Sequence, residues 1–372
     1  MLKGAIHSIK NWDQPLDSTI MRKLFKKITL FMAIAAMTFL SRYALKQKSF
    51  YIMNILIWNS LHPRTHYDPE ISRLIESVPS ATFSAKTVLR QGNGILFMET
   101  TDRMEPPPLV LCAIESAARV YPDRPVVFFM KGLGDIMTEE DEKRTRKRFP
   151  VLSSFHNIYF FPLKLNKLFN NTPLMEWFEE VNPKKERYWT HVSSDACRFA
   201  MMWKYGGIYM DSDIISIRPI PHDHFLAAEH SKSTSSSVYG LSPFHNLTWL
   251  FMEDFAQNYR GDLWGHQGPK LFTRIVVKLC GMPEFTTIDD LMCVNLPYLH
   301  PRRFYPLSYE SWKKYFEVWE NFPTFDNSYA LHLWNYMNNE GKTMVPGSNT
   351  LAEQLFQKQC PNTYNYILKN NL

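Results

Sequence analysis

The stretch HVSSDACRFAMMWKYGGIYMDSD, from His191 to Asp213, predicts the fold class of this chain better than any other segment. Its first part has the pattern of a helix. Ser193 or Ser194 can cap that helix, because a hydroxyl oxygen accepts hydrogen bonds from backbone N–H groups that lack intrahelical partners. Apolar residues recur at the i, i+3, i+4 and i+7 spacing of one buried helix face, at Ala196, Phe199, Ala200 and Trp203.

A double glycine separates this helix from a predicted strand. Gly206 and Gly207 can supply the positive-φ turn that ends a helix, and residues 208–210 then form a short apolar run. Asp211 and Asp213 stand at the end of that run. Because side chains two positions apart on a strand point to the same side, both carboxylates can face one bound cation. The segment therefore predicts a metal site at the carboxyl end of a strand.

Strand-like and helical segments alternate from Gly94 onward. A helix is expected from Pro106 to Val120, since proline is favoured at the first helical position. Three apolar runs read as strands, at Ile95–Met98, Pro125–Met130 and Ile158–Phe161. This alternation predicts β-α-β units in an α/β fold with a mostly parallel sheet. Ligands bind beyond the carboxyl ends of such strands, so Glu99 and Thr100 should line the same crevice as the two aspartates.

Charged and serine-rich runs are expected to be loops. Ser231–Ser237 has the composition of a mobile loop. Lys143–Arg148 is a basic run that follows the acidic Glu139–Glu142, and mixed charge of this kind is typical of a solvated loop. With a net charge of only +6 over 372 residues, the chain has no pattern of a nucleic-acid-binding protein.

The five cysteines include no C-x-x-C pair, which argues against a zinc ribbon or a thioredoxin-like site. In a secretory compartment some of them should form disulfides. Cys112 with Cys360 and Cys280 with Cys293 are candidates, although the sequence does not fix the connectivity. Cys197 is expected to be the unpaired thiol, a small buried helix residue without reactivity.

The N-terminus has the pattern of a membrane anchor. The run Ile28–Leu40 carries no charge and follows a basic cluster, which favours a cytoplasmic N-terminus. Extension to Leu45 brings it near the length of a bilayer-spanning helix, with a cleaved signal peptide as the alternative. We expect a cytoplasmic tail at 1–27, a signal-anchor helix at 28–45, a stem at 46–93 and a lumenal domain at 94–372. N-glycosylation sequons at Asn170 and Asn246 agree with a lumenal domain.

The aspartate pair and its lead-in resemble a known family motif. Asp-x-Asp after Tyr-Gly-Gly-Ile-Tyr is similar to the nucleotide-sugar motif of glycosyltransferases with the GT-A fold. Ser-Asp-x-x-Arg on the preceding helix, with Asp195 and Arg198, narrows the resemblance to the retaining α-1,4-N-acetylglucosaminyltransferases and α-1,4-galactosyltransferases. It extends from about Gly94 to about Pro361 and implies a Rossmann-like GT-A domain as the catalytic part of the chain.

The resemblance implies a UDP-sugar donor and a divalent cation. Breaking a sugar–diphosphate bond requires neutralisation of the departing phosphates, which Mn²⁺ or Mg²⁺ can supply from a carboxylate-rich site. Asp213 is the expected direct metal ligand, and Asp211 is expected to reach the metal through water or to bind the ribose. His332, in a family His-x-Trp element, is the third expected ligand. The alternatives are solvated turn carboxylates and an ordinary core histidine.

Donor contacts are also implied on the helix and after the first strand. Asp195 and Arg198 are three positions apart and share a helix face near its positive N-terminal end. The resemblance implies that they hold the donor sugar, and a purely structural ion pair is the alternative. Glu99 and Thr100 are expected at the donor, and Trp334 is expected to close over it.

The Trp264–Pro269 loop is the expected wall for donor or acceptor. Its glycines allow a ligand to approach the backbone closely, and Gln267 is the expected catalytic residue, whose amide can hydrogen-bond a sugar hydroxyl or sit below the anomeric carbon. Trp264 and His266 are expected to contact the acceptor or the donor. A helix-start turn before Pro269 is the alternative.

These expectations combine into one function. The chain is expected to be a Golgi membrane enzyme that moves GlcNAc from UDP-GlcNAc in α-1,4 linkage to a terminal β-galactose of mucin-type O-glycans. The alternative within the family is an α-1,4-galactosyltransferase that acts on lactosylceramide. No carboxylate is placed as an obvious nucleophile, so retention is expected to proceed by internal return.

Two other classes are disfavoured by single positions. An aspartate-nucleophile phosphatase carries Thr or Val two positions after its second aspartate, where this chain has Ile215. A non-catalytic sugar-binding protein would lack Asp211 or Asp213, and both are present.

Overall fold

Strands and helices alternate through residues 83–136 and 138–370, the part of the chain that the computed structural model describes. The strands are β1 Ile95–Glu99, β2 Val126–Met130, β3 Ile158–Pro162, β4 Gly207–Met210, β5 Ile214–Ser216, β6 Leu226–His230, β7 Ser233–Thr234, β8 Val238–Leu241, β9 Leu291–Cys293, β10 Leu296–Leu299 and β11 Ala330–His332. The α-helices are α1 Ala85–Val88, α2 Pro108–Val120, α3 Glu139–Arg146, α4 Leu165–Phe169, α5 Leu174–Glu180, α6 Trp189–Tyr205, α7 Asn246–Gln257, α8 Pro269–Cys280, α9 Leu351–Gln359 and α10 Pro361–Asn370. Short 3₁₀ helices span Pro301–Arg303, Tyr309–Phe316 and Asn335–Met337.

The predicted tail, signal-anchor helix and most of the predicted stem lie outside these described residues. Within the described ranges, no helix has the length and apolar character to cross a membrane.

The central sheet of the described residues has the strand order β3-β2-β1-β4-β8. Strands β1, β2, β3 and β4 run parallel to their neighbours, whereas β8 pairs antiparallel with β4. The three strands expected before the aspartates are confirmed within a residue or two, and so is the mostly parallel α/β sheet. Because β1 and β4 are adjacent and parallel, Glu99 and Asp211 follow strands that end at the same edge of the sheet.

Both faces of the sheet are buried, as expected for parallel strands covered by crossover helices. Alternate residues of β1 divide between two cores, with Ile95 and Phe97 in one and Leu96 and Met98 in the other. Helices α2, α9 and α10 contribute to the first core, and α6, α7 and α8 contribute to the second. The site at the sheet edge therefore rests on a three-layer scaffold.

Helix α6 confirms the apolar stripe but begins earlier than expected. It starts at Trp189 and has no side-chain cap, so the serine caps predicted at Ser193 and Ser194 are wrong. The Ser193 hydroxyl instead donates to the carbonyl of Thr190 at 3.2 Å, inside the helix. The apolar stripe packs in the core, where Ala196, Phe199 and Ala200 are buried and Trp203 is partly buried.

The double glycine performs the predicted turn. Gly206 and Gly207 have φ values of 59° and 95°, which favour glycine. A Cβ on Gly207 would lie 2.2 Å from the carbonyl oxygen of Gly94, so the start of β4 approaches the start of β1 too closely for a side chain. The turn thus delivers the aspartates to the sheet edge.

Both candidate disulfides are present. Cys112 is bonded to Cys360 and Cys280 to Cys293. Among the described residues, Cys197 is the free cysteine and it is buried, as expected. The first bond joins helix α2, near the start of the domain, to the end of α9 across 248 positions.

Glu115 fastens the same two regions one helical turn after Cys112. Its fully buried carboxylate accepts hydrogen bonds from the backbone N–H groups of Asn362 and Thr363, at 2.9 and 2.7 Å, and from the Thr363 hydroxyl at 2.7 Å. These N–H groups belong to the first turn of α10, which lacks intrahelical acceptors for them. Glu115 therefore caps a helix that lies almost 250 residues further along the chain.

Two boundaries differ from expectation. The charged run predicted as a loop at Lys143–Arg148 is largely helical, because Thr138 and Asp141 form a capping box at the start of α3. The last part of the predicted stem belongs to the domain, since Phe83 stacks on Phe161 at 5.4 Å and Leu89 is buried in the core.

Candidate active site

Asp211 and Asp213 lie in a tight turn between β4 and β5 rather than on a strand. The turn is closed by a hydrogen bond from the Ile214 N–H to the Asp211 carbonyl at 3.1 Å. Strand β5 pairs with β11 in a register that places Ile214 opposite His332. One ligand atom from each of Asp211, Asp213 and His332 lies within 4.8 Å of the others. The three predicted metal ligands are thus brought together by two strands that are more than 100 residues apart.

Asp213 and His332 form a pair in which each side chain favours the charged form of the other. The Asp213 Oδ1 atom lies 3.3 Å from His332 Nε2, and Oδ2 accepts a hydrogen bond from the Asn335 N–H at 2.9 Å. Burial opposes the charge on Asp213, but His332 and the Asn335 N–H outweigh it and lower the pKa of the carboxyl. Burial likewise opposes a charged His332, but Asp213 raises the pKa of the imidazole.

The group fits a divalent cation. The His332 Nδ1 atom is buried and has no hydrogen-bond partner among the described residues. Two carboxylates and an imidazole are ligands that Mn²⁺ accepts, and the carboxylates also suit Mg²⁺. A bound cation would also offset the repulsion between the two carboxylates, since the charge of Asp213 raises the pKa of Asp211.

Asp211 has hydrogen-bond and ion-pair partners at one of its two carboxylate oxygens. Its Oδ1 atom accepts a hydrogen bond from the Tyr209 hydroxyl at 2.5 Å and lies 3.3 Å from Arg198 Nη2. Burial raises the pKa of Asp211, although Arg198 acts in the opposite direction. One oxygen of Asp211 therefore has partners, and the expectation that Asp213 rather than Asp211 binds the metal directly stays a prediction. Tyr209 was missed from the sequence, although its position two residues before Asp211 places it on the same side of the chain.

Arg198 connects the helix half of the motif to the metal half. Its guanidinium lies 3.4 Å from Asp195 and 3.3 Å from Asp211, and Nη1 donates to the Ser236 carbonyl at 2.6 Å. The guanidinium also stands over the Tyr209 ring at 4.9 Å. The i, i+3 ion pair is formed, but it is one side of a larger network, and both members lie well inside α6 rather than at its N-terminal end.

The charges of this network depend on one another. Burial raises the pKa of Asp195 to about 7, with Arg198 lowering it and Asp211 raising it. Burial opposes the charge on Arg198, but Asp211, Tyr209 and Asp195 outweigh it and raise its pKa. A buried guanidinium that serves two carboxylates is a strong constraint on where both carboxylates point.

The serine-rich segment is a buried wall of the site, so the mobile loop predicted at Ser231–Ser237 is wrong. Ser235 and Ser236 are buried, and the hydroxyl groups of Ser235 and Ser237 both contact the Tyr305 hydroxyl. The carbonyl of Ser236 holds Arg198, as described above. The serine composition pointed to a loop because the tyrosine partner is about 70 residues away in sequence.

Gln267 is held in place by hydrogen bonds at both ends of its amide. Its side chain is buried, its Oε1 atom accepts from the Arg260 N–H at 3.1 Å, and its Nε2 atom donates to the Phe255 carbonyl at 2.8 Å. The amide thus holds the loop to helix α7 through Nε2 and to Arg260, within the loop, through Oε1. The catalytic role expected for Gln267 stays a prediction.

The rest of that loop nevertheless lies at the site. A Cβ added to Gly268 would lie 2.6–2.9 Å from the carboxylate of Asp195, so the loop backbone packs directly on that side chain. His266 Nε2 is 3.1 Å from the Asn258 carbonyl, and Trp264 is exposed. The contact of Trp264 and His266 with a substrate stays a prediction.

Trp334 is buried and forms a wall behind His332. Its indole N–H donates to the Leu307 carbonyl at 2.8 Å, and its ring lies 4.3 Å from the His332 ring in a T-shaped contact. Trp334 itself has a left-handed backbone conformation with φ 56°, which turns the chain from β11 toward Asn335. Its expected closure over the donor stays a prediction.

The contacts of Glu99 and the positions of Asn170 and Asn246 do not test their predicted roles. The Glu99 carboxylate accepts from the N–H and hydroxyl of Thr101, at 2.9 and 2.8 Å, just beyond Thr100. Asn170 is exposed after α4, and Asn246 is the first residue of α7. These donor and glycosylation assignments stay predictions.

Two family models match the chain. One described as "Glycosyltransferase sugar-binding region containing DXD motif" matches residues 107–232, and one described as "Alpha 1,4-glycosyltransferase conserved region" matches residues 241–367. Together they cover strands β2, β3 and β4 of the sheet, the aspartate turn, the Trp264 loop and His332.

Curated relatives agree with these matches. Human α-1,4-N-acetylglucosaminyltransferase is 50% identical over 284 residues, which cover 76% of this chain and 83% of that protein. Lactosylceramide 4-α-galactosyltransferase of Mus musculus is 36% identical over 274 residues, which cover 73% of this chain and 75% of that protein. A solved structure of the galactosyltransferase LgtC in complex with donor and acceptor sugar analogues is 10% identical, covers 72% of this chain and 95% of that one, and has a TM-score of 0.34.

The fold prediction is confirmed by the sheet topology together with the DXD sugar-binding region. Asp211 and Asp213 stand in that region as the DXD pair, beside a histidine that completes a group fitted to a divalent cation. The phosphatase alternative and the non-catalytic alternative are thereby set aside. The chain belongs to the α-1,4-glycosyltransferase family and is a UDP-sugar-dependent glycosyltransferase with a GT-A type fold.

Proposed function

We propose that this enzyme transfers GlcNAc from UDP-GlcNAc in α-1,4 linkage to a terminal β-galactose of mucin-type O-glycans. The proposed reaction type rests on the network in which Arg198 lies 3.4 Å from Asp195 on helix α6 and 3.3 Å from Asp211 in the DXD turn. The choice of GlcNAc rests on sequence similarity. Identity is 50% to an α-1,4-N-acetylglucosaminyltransferase and 34–36% to lactosylceramide galactosyltransferases.

Asp213, His332 and Asp211 would hold the metal. When bound, the cation neutralises the charge that develops on the departing diphosphate. The protein's own part is to keep the ligands in place: Asn335 fixes one oxygen of Asp213, and Tyr209 with Arg198 fixes one oxygen of Asp211. Such positioning of charge before the reaction lowers the barrier, since no reorganisation is needed as the bond breaks.

Asp195 would accept hydrogen bonds from hydroxyl groups of the donor sugar. It lies between Arg198 and the backbone at Gly268, so its carboxylate is fixed in direction. We further propose that configuration is retained by internal return, in which a diphosphate oxygen takes the proton of the acceptor hydroxyl as that oxygen bonds to the anomeric carbon from the same face. A glycosylated peptide trapped with a slow donor analogue would contradict this mechanism.

The donor is tested directly with a panel of UDP-GlcNAc and UDP-Gal in the presence of Mn²⁺. Each donor is offered with a mucin-type glycan that ends in β-galactose and with lactosylceramide. We expect transfer from UDP-GlcNAc to the glycan. Transfer from UDP-Gal to lactosylceramide would instead establish the galactosyltransferase, which the 34–36% identity to such enzymes keeps as the second candidate.

The metal assignment has its own test. Asp213→Ala should abolish transfer while the protein keeps its circular dichroism spectrum, and Asp123→Ala, which changes an exposed aspartate away from the site, should leave transfer unchanged. Transfer at wild-type rate by the Asp213 variant would rule out its role as a metal ligand. Manganese is proposed over magnesium because an imidazole nitrogen suits Mn²⁺ better.

We place the enzyme in the Golgi membrane with its catalytic domain in the lumen. Two disulfides support an oxidising compartment, and the apolar run at 28–45 supports a signal anchor. Protease treatment of sealed microsomes tests the topology. Protection of the domain, with removal only of a short N-terminal tail, is expected, and digestion of the domain would contradict a lumenal location.

A further inference from the structure

We propose that Trp264 and Tyr336 form a platform that binds the apolar face of the acceptor's terminal sugar ring. The proposal rests on the proposed function, which supplies a terminal β-galactose as the acceptor. It adds a specificity-determining surface made of two chain segments that no sequence motif joins. Trp264 was expected at a substrate, but Tyr336 was not expected at the site at all.

The two rings are stacked and exposed. Their centroids are 5.0 Å apart and their planes differ by 17°. The His191 ring meets the Tyr336 ring edge to face at 4.7 Å. Trp264 is 42% exposed and Tyr336 is 52% exposed, so this cluster offers aromatic surface to solvent instead of to the core. When a ligand covers rings of this size, a large apolar surface is removed from water, which favours binding.

Each ring is attached to a different part of the catalytic network. Tyr336 directly follows Asn335, whose N–H holds Asp213. The loop of Trp264 ends at Gly268, which packs on Asp195. His191 lies one turn before Asp195 on the same helix face. Three segments, each attached to Asp213 or to Asp195, therefore converge on one aromatic surface.

The position of the platform favours the acceptor over the nucleotide. The Trp264 loop connects α7, the helix that follows β8 in sequence, to α8, and β8 flanks β4 on one side. Strand β1, whose carboxyl end is the expected border of the donor nucleotide, flanks β4 on the other side. A donor that enters from the β1 side would present its anomeric carbon to a ligand seated on the β8 side.

The chemistry of the platform matches a pyranose ring. One face of galactose carries the C–H bonds of three neighbouring ring carbons, while the axial hydroxyl points to the opposite face. The C–H face can pack on an aromatic ring, and the hydroxyl groups at its rim then need polar partners. His191 stands at the edge of the stack, and Asn335, which precedes Tyr336 in sequence, has an exposed side chain, so both can provide them.

The test uses the full chain and measures the KM for the acceptor and the KM for the donor separately. Trp264→Ala and Tyr336→Ala are each expected to raise the KM for a β-galactoside acceptor by between about fivefold and a hundredfold, the range that loss of one stacking ring gives elsewhere. The KM for the UDP-sugar is expected to stay within about twofold of the wild-type value. Trp264→Phe should restore most of the acceptor affinity, whereas Trp264→Leu, which keeps apolar bulk without a ring, should not.

Phe244→Ala is the matched control. Phe244 is also an exposed aromatic residue, 56% exposed, in a T-shaped contact with Trp203 at 5.2 Å. Trp203 lies near the other end of helix α6, about 18 Å from His191 at the helical rise per residue. Both KM values should therefore be unchanged in this variant.

Three results would overturn the platform. A rise in the donor KM alone would show that the rings bind the nucleotide, and a fall in kcat with both KM values unchanged would show a merely structural role. Equal recovery by Trp264→Phe and Trp264→Leu would show that no ring is needed. If the wild type accepts no β-galactoside, the proposed function fails, and the same KM comparison with the glycoside that it does accept decides the platform separately.

Discussion

Replacement of Arg198 by Met tests whether one buried guanidinium holds the site together. Methionine has a similar length and fills much of the same volume, but it brings no charge. The change leaves the carboxylates of Asp195 and Asp211 facing each other without the cation that lies 3.4 and 3.3 Å from them. It also removes the hydrogen bond to the Ser236 carbonyl.

The expected loss follows from the burial of these groups. Breaking a buried ion pair by removing one partner costs about 3–5 kcal/mol, because an uncompensated charge remains in the interior. For a domain of this size, such a loss corresponds to a melting temperature lower by about 6–20 °C. The loss is greatest at high pH, where the carboxyl groups that Arg198 pairs with are ionised in the wild type.

The loss should shrink on acidification. Burial already raises the pKa of Asp195 to about 7 in the presence of Arg198, and it raises the pKa of Asp211. Without Arg198, both folded-state pKa values rise further above their unfolded values. Groups with raised pKa values favour the fold at low pH and lose that contribution as pH rises. The gap between wild type and variant should therefore be small at pH 5 and large at pH 8.

Melting of the full chain, followed by circular dichroism at pH 5 and pH 8, measures this gap. Arg198→Lys is the control, because it keeps the charge but loses the planar fork that reaches both carboxylates. It should melt between the other two proteins with a weaker dependence on pH. A gap of the same size at both pH values, or a variant that melts within about 2 °C of wild type at pH 8, would refute the central role of Arg198.

Three further predictions concern other parts of the domain. Gly268→Ala should lower kcat/KM and cost about 1–3 kcal/mol of stability, since its Cβ would press on the carboxylate of Asp195; Gly134→Ala, where a Cβ meets nothing within 4 Å, should be neutral in both assays. Glu115→Ala should destabilise the protein by about 1–3 kcal/mol, and because burial raises the pKa of Glu115, its melting deficit should be greater at pH 4 than at pH 7; an equal deficit would contradict this sign. Mn²⁺ at about 100 times its dissociation constant should stabilise the wild type by about 2.7 kcal/mol and leave Asp213→Ala unchanged, which calorimetry would measure even where no transfer occurs.

Local patterns predicted the parts of the fold that depend on neighbours in sequence. The apolar stripe of α6 and the turn at Gly206 and Gly207 were evident, because helix periodicity and a positive φ are properties of a short segment. The capping box at Thr138 and Asp141 was also readable, yet the charge of the following run obscured it. That helix could have been found by giving the capping signal more weight than the charge.

Contacts between distant segments could not be obtained in this way. Ser235 and Ser236 are buried because Tyr305 and Arg198 cover this part of the Ser231–Ser237 run, and neither partner is near in sequence. Gln267 stands in a glycine-rich loop typical of ligand contact, but its amide is used by backbone groups that only the folded loop presents. The stacking of Trp264 on Tyr336 is equally invisible, since 72 positions separate them.

The connection of α2 to the C-terminal helices has a consequence for how the enzyme is made. Cys360 and Thr363 are synthesised 248 residues after their partners Cys112 and Glu115. Until then the core holds an unpaired thiol and a carboxylate without its donors, and a buried carboxylate in that state is costly. Closure of this core therefore waits for the C-terminal helices. A chain that ends before Cys360 leaves the Cys112 thiol without its partner and so differs chemically from one that contains both cysteines.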